Sequence, residues 1–276
     1  MLKLTTWNVN GIRARAREVL EWVERERPDV LCLQEVKAAR EQIPDELCEL
    51  ARYHCYWHGY KGYSGVGLHL SRETFARAPI YGHSAFDHES RIVTARWADW
   101  MFASVYVPNG GKDFSAKVRF LDALDAWAED ARAADTKLII CGDLNVARER
   151  RDVHTKLQDV RQIGQTPAEQ AQLERIIGRG LVDLARKFHP DDDRLFTWWA
   201  PWRNQRERNI GWRLDYVLAH ETLAARALDC TVAREFGTSD HGPVTATFDV
   251  ELPPLPPDQD VPVPPAPPAK GQLKLF

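Results

Sequence analysis

The chain has 276 residues, of which 44% are hydrophobic and 28% charged, and its net charge is −3. This length and composition are typical of a globular protein with a large core, and no apolar run is long enough to span a membrane. A negative net charge argues against nucleic-acid binding over the whole surface, so a polyanion site would have to be a local basic patch. Two runs are candidates for such a patch, although each could be ordinary solvated surface: Arg13-Arg15-Arg17 and Arg148-Arg150-Arg151.

Apolar and amphipathic segments alternate along the first 250 residues. Extended apolar segments predict strands over residues 2–9, 29–34, 64–70, 91–97, 101–107, 137–141, 213–218 and 242–250. Amphipathic periodicity predicts helices over 12–26, 39–52, 115–133 and 167–180. Strands mixed with helices in this order predict one α/β domain of packed sheets covered by helices, spanning residues 1–250.

The cysteines and the amino terminus indicate the cellular compartment in which we expect the protein. Met1 leads directly into strand-like sequence, so we expect no export signal. The five cysteines are scattered without CxxC spacing, and Cys32 and Cys141 lie inside apolar strand runs. We therefore expect reduced, buried thiols in a cytoplasmic protein, and neither a zinc site nor a disulfide framework.

Polar side chains stand at the ends of several predicted strands, and Asp215 lies within one, two residues after Arg213. Asp143 and Asn145 are two residues apart, so both side chains leave the same face while the backbone stays extended. Each such segment alone could be an ordinary turn or a helix cap. The segments are Trp7-Asn8-Val9-Asn10-Gly11, Leu33-Gln34-Glu35, Gly142-Asp143-Leu144-Asn145, Arg213-Leu214-Asp215 and Ser239-Asp240-His241.

Together, these side chains suit phosphate-ester chemistry. Glu35 with Asn8 and Asp240 would make an all-oxygen site for a hard cation such as Mg²⁺. Asp143 could deprotonate an attacking water. His241 could donate to a phosphoryl oxygen, with an adjacent acid fixing its orientation.

The chain resembles the exonuclease III type of DNA repair nucleases, the apurinic/apyrimidinic endonucleases. The matching motifs follow the family's order from residue 4 to about residue 250. They are Trp7-Asn8-Val9-Asn10-Gly11-Ile12-Arg13, Leu33-Gln34-Glu35-Val36-Lys37, Lys61-Gly62-Tyr63-Ser64-Gly65-Val66, Tyr106-Val107-Pro108-Asn109-Gly110, Gly142-Asp143-Leu144-Asn145, Asn209-Ile210-Gly211-Trp212-Arg213-Leu214-Asp215-Tyr216 and Ser239-Asp240-His241.

The resemblance implies a DNase I-like four-layer α/β sandwich, in which two packed mixed β-sheets are flanked by helices. It implies a monomeric Mg²⁺-dependent enzyme, with Mn²⁺ as a substitute, that incises duplex DNA 5′ to abasic sites. It also implies 3′-to-5′ exonuclease activity and the cleaning of blocked 3′ ends. Two alternatives within the superfamily are an exonuclease with weak abasic-site activity and a phosphodiesterase acting on a lipid or inositol phosphate. A non-catalytic DNA or clamp adaptor is a third alternative, which the intact set of acids opposes.

The resemblance also assigns roles to individual residues. It implies metal sites lined by Asn8, Glu35, Asp143, Asn145, Asp240 and His241, with Asp240 supporting His241. It implies that Tyr106, Asp143, Asn145, Asp215 and His241 take part in the chemistry. It implies a pocket for a base-free sugar formed by Trp198, Trp212 and Leu214, phosphate contacts by Arg13, Asn109, Lys112 and Arg206, and a wedge at Trp202. For Trp199 we expect core packing instead.

One departure concerns the loop after Asn145. That loop, Ala147-Arg148-Glu149-Arg150-Arg151-Asp152-Val153-His154, is more basic than the family pattern. Loops of this region shape the DNA cleft, so the balance of endonuclease and exonuclease activity stays open.

The composition changes sharply after residue 250. Nine of the 17 prolines lie between Pro253 and Pro268, which favours an extended linker over residues 251–271. Residues 272–276 then resemble the pentapeptide by which bacterial repair enzymes bind the sliding clamp, with Gln272, Leu273, Leu275 and Phe276 as contacts; the alternative is a chance match. An extended linker of this length would reach on the order of 60 Å.

Overall fold

The computed structural model describes residues 1–48, 50, 52–60 and 62–255. Within these residues the strands are β1 (Leu2–Asn8), β2 (Val30–Gln34), β3 (Tyr53–Tyr60), β4 (Tyr63–Ser71), β5 (Ile80–Gly82), β6 (Ile92–Trp97), β7 (Trp100–Tyr106), β8 (Lys137–Asp143), β9 (Leu181–Asp183), β10 (Asp215–His220), β11 (Ala227–Val232) and β12 (Val244–Phe248). The α-helices are α1 (Ile12–Glu26), α2 (Asp45–Cys48), α3 (Phe114–Ala133), α4 (Pro167–Ile177), α5 (Leu184–Phe188) and α6 (Glu221–Ala224). Short 3₁₀ turns lie at Arg40–Gln42, Arg150–Asp152 and Thr155–Leu157.

The strands form two six-stranded sheets. The first has the order β11-β12-β1-β2-β4-β3 and the second β5-β6-β7-β8-β10-β9. In each sheet one central pair is parallel, β1 with β2 and β7 with β8, and the remaining neighbours are antiparallel. Both sheets are therefore mixed, and each central parallel pair needs a helical crossover, which α1 and α3 supply.

Three hydrophobic clusters show how the layers pack. Side chains of both sheets meet in one buried cluster that includes Leu4, Leu68, Phe102, Ile139 and Val217. A second cluster covers the outer face of the first sheet with α1, and a third covers the outer face of the second sheet with α3 and α4. The order helix, sheet, sheet, helix is the expected four-layer α/β sandwich.

Local sequence signals fix the long helices. Asp113 caps α3, since its carboxylate accepts from the backbone N–H of Ala116 at 2.9 Å. Thr166 caps α4, where Glu169 bonds back to the backbone N–H of Thr166 at 3.3 Å and Pro167 occupies the first helical position. Caps of this kind satisfy donors that a helix leaves unpaired at its start.

One predicted helix is wrong, and some strands were not expected. Residues 39–52 do not form a helix; their described part contains a 3₁₀ turn and the four-residue helix α2. Pro44 explains the break, because proline disfavours helical backbone at the residue before it. The strands β3, β5, β9 and β11 were also missed. The other predicted elements are present with ends shifted by a few residues.

Residues just beyond the predicted domain end at 250 still pack on the body. The indole N–H of Trp97 donates to the carbonyl oxygen of Pro253 at 2.9 Å. Leu252 and Leu255 pack against the cluster between the sheets. The rest of the expected linker and the expected clamp contacts Gln272, Leu273, Leu275 and Phe276 lie outside the described residues. In the described part of the chain, no helix combines the length and apolarity that a membrane span requires.

Candidate active site

Strands of both sheets deliver acids and amides to one rim of the sandwich. Asn8 ends β1 and Glu35 directly follows β2, which pairs with it in parallel. Asp143 ends β8 and lies opposite Tyr106 of β7 and opposite Asp215, the first residue of β10. Because the two sheets are stacked, these five side chains meet where both sheets end.

The backbone at this rim is unusual. Glu35 and Asn145 have φ angles of 50° and 52°, in the left-handed region that non-glycine residues rarely adopt. Gly142 has a φ of 147°, and a Cβ atom there would overlap the carbonyl oxygen of Val105. The glycine therefore lets β7 and β8 approach closely just before Asp143, which brings Tyr106 and Asp143 side by side.

Asn8 bridges two of the acids. Its amide nitrogen donates to Glu35 at 3.0 Å and to Asp143 at 2.9 Å. Its amide oxygen accepts from the backbone N–H of Asn10. Asn8 thus fixes the spacing of two carboxylates, and its predicted role as a metal ligand would require the amide to turn over.

Asp143 lies at the centre of the cluster. It accepts from the backbone N–H of Asn145 at 2.9 Å and from the Asn145 amide at 3.2 Å. Burial, together with the charges of Asp215 and Glu35, raises the pKa of Asp143 to about 7, although the positive charge of His241 opposes the shift. A carboxyl with this pKa exchanges a proton near neutral pH, which suits a general base.

His241 lies between two acids. Its Nδ1 is 2.8 Å from Asp215, and its Nε2 is 3.8 Å from Asp143. Burial lowers the pKa of His241, but the charge and hydrogen bond of Asp215 and the charges of Asp143 and Asp240 outweigh it and raise the pKa to about 10. Protonated His241 is therefore held with its Nε2 beside Asp143.

The partner of His241 differs from the expectation. We expected the adjacent Asp240 to support His241, but that role falls to Asp215. Asp240 instead accepts from the Asn10 amide at 2.8 Å and from the Trp198 indole at 2.9 Å. Asp240 and His241, although adjacent in the chain, thus bind different partners.

The site has the donors for a divalent cation. One oxygen atom each of Glu35 and Asp143 and one ring nitrogen of His241 lie within 4.8 Å of one another, and because His241 is protonated the two carboxylates are the ligands. Burial alone would raise the pKa of Glu35, but hydrogen bonds from Asn8 and Lys37 lower it, so this carboxylate stays ionised. One buried oxygen of Asp215 has no hydrogen-bond partner among the described residues. Buried carboxylate oxygens without enough protein partners are suited to a hard cation.

A cavity of about 360 Å³ opens beside these acids. Trp198, Trp212 and Leu214 form one wall, and the Trp198 and Trp212 rings meet edge to face at 5.7 Å. A larger cavity of about 630 Å³ lies elsewhere, but Glu35, Asp143 and His241 do not line it. Convergent polar groups rather than volume therefore mark the smaller cavity as the site.

Most of the residues expected to contact DNA can reach a ligand, and one cannot. Asn109 lines the cavity. Arg13 and Lys112 are exposed outside the cavity, and the side chain of Trp202 is 59% exposed beside Trp198 and Trp212. Arg206 differs from the expectation, because its guanidinium donates to the backbone carbonyls of Arg234, Phe236, Gly237 and Ser239. It organises that segment instead of presenting its charge. Trp199 is core, as expected, with 1% exposed.

The basic loop after Asn145 is largely neutralised. Arg148 pairs with Glu174 at 2.6 Å and with Asp183 at 3.3 Å. Arg151 pairs with Glu149 at 2.7 Å. Two of the three arginines of the run Arg148-Arg150-Arg151 are therefore paired with acids, while exposed Arg150 donates to neutral Gln158.

Other residues of the site were not found from the sequence. Asn10 accepts from Lys37 at 2.5 Å while donating to Asp240. Lys117, fully buried in α3, donates to the carbonyl oxygen of Asn145 at 2.7 Å and pairs with buried Glu169 at 2.5 Å. The alternation of Asn8 and Asn10 could have indicated Asn10, but nothing local predicts that a helical lysine supports the Asn145 backbone.

Comparison with known proteins agrees with this geometry. The model of the endonuclease/exonuclease/phosphatase family matches residues 5–241. The chain is 35% identical to the DNA repair nuclease APEX1 of Danio rerio, over 88% of this chain and 81% of that protein. It is 32% identical to an exodeoxyribonuclease of Bacillus subtilis, over 88% and 98%. The structure of an AP endonuclease from Archaeoglobus fulgidus superimposes with a TM-score of 0.81 at 31% identity, covering 91% of this chain and all of that one.

Proposed function

The chain belongs to the endonuclease/exonuclease/phosphatase family, and from this premise we propose that it is a DNA repair nuclease of the exonuclease III type. It hydrolyses phosphodiester bonds in duplex DNA, incises 5′ to abasic sites, and trims or cleans 3′ ends. The observation that carries this proposal is the placement of Asp143. A carboxyl with a pKa of about 7 lies between the two amides Asn8 and Asn145 and the imidazole of His241.

In this mechanism Asp143 orients a water and accepts its proton as the water oxygen attacks phosphorus. The bond between phosphorus and the 3′-oxygen of the preceding nucleotide breaks, and this oxygen takes a proton from solvent and leaves as a hydroxyl. His241 donates through Nε2 to a phosphoryl oxygen and so stabilises the charge that develops there. Asp215 holds the other ring nitrogen at 2.8 Å, which keeps the imidazole protonated and oriented. Asn145 fixes Asp143 through its backbone N–H and its side chain.

The cofactor of this mechanism is a divalent cation, Mg²⁺ with Mn²⁺ as a substitute. Glu35, Asp143 and Asp215 provide the buried carboxylate oxygens, and Asn8, Asn145, Asp240 and His241 complete the surroundings of the ion. When bound, such an ion supplies Lewis-acid charge to the phosphoryl oxygens. Tyr106 contributes a protonated phenol, because burial and the charges of Glu35 and Asp143 raise its pKa.

The cavity supports the choice of substrate. An apolar slot lined by Trp198, Trp212 and Leu214 admits a flipped-out sugar that has lost its base and excludes a complete nucleotide. Trp202, largely exposed beside this slot, is positioned to contact the duplex. Arg13, Asn109 and Lys112 are the candidate phosphate contacts.

Three further features belong to the same proposal. The enzyme acts as a monomer, and it acts in the cytoplasm, a compartment that the free, buried thiols of Cys32, Cys141 and Cys230 support. Residues 251–271 serve as a linker. Residues 272–276 bind a sliding clamp, which raises the local concentration of enzyme on DNA. A calorimetric titration of clamp with the full chain and with a chain ending at Glu251 tests this, and equal affinities would refute it.

The activity is tested with an end-labelled duplex that carries one abasic-site analogue, in Mg²⁺ or in EDTA. We expect metal-dependent incision at the analogue, and we expect Asp143→Asn to reduce its rate by roughly 10²–10⁴-fold because the general base is lost. The matched control is Asp249→Asn, which changes an exposed acid paired with Arg226 far from the rim.

Two outcomes would change the proposal. Trimming from the 3′ end without incision at the analogue would leave an exonuclease and remove the abasic-site specificity. Incision by Asp143→Asn at the rate of Asp249→Asn would remove Asp143 from the mechanism.

A further inference from the structure

A second cluster of metal-binding side chains lies apart from the active site. It consists of His58 on β3, His83 just after β5, and Asp87 in the following loop, and we call it the histidine cluster. One ligand atom from each residue lies within 4.8 Å of the others. None of the three takes part in the proposed mechanism.

The cluster is built around a buried carboxylate. The side chain of Asp87 is fully buried, and its oxygens accept from the backbone N–H groups of Arg91 at 2.8 Å and Ile92 at 3.1 Å. The backbone N–H of Glu89 also donates to it at 3.3 Å, and its side-chain partner is Nε2 of His58 at 2.9 Å. Asp87 is therefore held rigidly, and its contact with His58 is the one that an ion could replace.

The hydrogen bonds of His83 define which nitrogen is available. Its Nδ1 lies 3.3 Å from the carbonyl oxygen of Ile92, which can only accept, so Nδ1 carries the proton. Nε2 then has the free lone pair, and it accepts from the Tyr56 hydroxyl at 2.8 Å. His83 thus donates one ring N–H to a backbone carbonyl and has an unprotonated second nitrogen. Metal-ligating histidines usually have this arrangement.

The two imidazoles are close enough to share one ion. Their ring centroids are 3.9 Å apart with 30° between the ring planes. A tetrahedral ion with metal–nitrogen distances of about 2.0–2.1 Å needs neighbouring ligand atoms roughly 3.3 Å apart. An imidazole lone pair lies in its ring plane, so the two rings, now inclined at 30°, must rotate for both lone pairs to point at one ion. His58 would then carry its proton on Nδ1.

We propose that His58, His83 and Asp87 bind one transition-metal ion of the Zn²⁺ class, with water or the Tyr56 hydroxyl as the fourth ligand. Two imidazole nitrogens and one carboxylate favour such an ion over Mg²⁺, which prefers oxygen ligands. The ion links β3 to the loop that carries Arg91. The guanidinium of Arg91 lies 4.8 Å from the Tyr106 ring centroid, so the ion holds a segment that packs against the active site.

Titration calorimetry with Ni²⁺ tests this site in the full chain without a histidine tag and in excess Mg²⁺, which occupies the oxygen-rich rim. We expect one Ni²⁺ equivalent, and we expect His83→Ala to weaken it by more than about 100-fold, since loss of a ligand exceeds the effect of losing an outer partner. His83 is exposed, so its replacement leaves the fold intact. His58→Ala should give the same loss.

The matched control is His88→Ala, an exposed histidine of the same loop outside the cluster, which should bind as the unchanged chain does. Asp143→Asn should also retain the Ni²⁺ equivalent, which separates this site from the rim. Equal Ni²⁺ affinities of His83→Ala and His88→Ala, or no Ni²⁺ binding at all in excess Mg²⁺, would overturn the proposal. A cobalt–thiolate absorption band on Co²⁺ addition would do so as well, by assigning the ion to a cysteine.

Discussion

Two neighbouring groups of buried acidic side chains differ in how far their negative charge is paired with basic side chains. In the first, which we call the arginine network, fully buried Arg213 binds Asp152 through two nitrogens at 2.8 and 2.9 Å and Asp183 at 3.0 Å, with Arg186 also on Asp152. In the second, the active-site rim, the acids Glu35, Asp143, Asp215 and Asp240 are directly paired only with Lys37 and His241 among the described residues.

The difference appears in the pKa values. Burial would raise the pKa of Asp152, but Arg213 and Arg186 lower it below the usual range. Asp143 is equally buried but lacks an arginine, and its pKa rises to about 7. Arg213 and Asp215 are two residues apart in the chain, so one short segment belongs to both groups. Matched buried charge thus supports the scaffold, and unmatched buried negative charge marks the site that a cation would neutralise.

The largest expected effect is the loss of stability when the arginine network is broken. Arg213→Met leaves two buried carboxylates without their main partner, so we expect it to lower the free energy of unfolding by about 3–5 kcal/mol. Urea denaturation measures this change. The control Arg226→Met breaks an exposed pair with Asp249 and should cost no more than about 1 kcal/mol. If both variants have the same midpoint, the network is not what stabilises this end of the fold.

At the active-site rim we expect a smaller effect of opposite sign, a gain in stability when the charge of Asp143 is removed. The folded-state pKa of Asp143 lies above its ordinary value of 3.8, so ionising this group destabilises the folded protein. Asp143→Asn should therefore gain stability relative to the unchanged chain as the pH rises from about 4 through 7. In EDTA at pH 8 we expect a net gain of about 1–2 kcal/mol, because the lost Asn8 hydrogen bond offsets part of the benefit.

The pH dependence of stability is the decisive measurement for Asp143→Asn. Asp152 affects stability with the opposite dependence on pH, because its pKa is lowered in the folded protein. The stabilisation from Asp152 is complete above its ordinary pKa of 3.8 and is lost as the pH falls below that value. Urea midpoints of Asp143→Asn and the unchanged chain should therefore diverge with rising pH. Parallel midpoints between pH 4 and 8 would show that Asp143 is not an unmatched charge.

The smallest effect is expected from Lys37→Met. Lys37 binds Glu35 at 2.6 Å, but its side chain is 38% exposed and the pair is screened by water. We expect a loss of at most about 1 kcal/mol in urea denaturation. A loss as large as that of Arg213→Met would mean that the rim is neutralised by its own lysine and does not depend on a cation.

The fold and the main acids were predictable because their signals are local. Apolar runs predicted the central strands, and the polar residues at their ends predicted Glu35 after β2, Asp143 at the end of β8 and Asp215 at the start of the antiparallel β10. Contacts between distant segments were not predictable. Sequence adjacency wrongly suggested that Asp240 supports His241, and nothing in the chain around His58 indicates that His83 and Asp87 lie beside it.

The bond between Trp97 and the Pro253 carbonyl has a mechanical consequence. Within the described residues, tension applied at Leu255 would be borne first by this bond and by Leu252 and Leu255, which pack against the cluster between the sheets. Trp97 lies on β6, and β7 separates β6 from the strand that carries Asp143. Such a load would therefore fall on the hydrophobic core two strands away from Asp143 and not directly on the active-site rim.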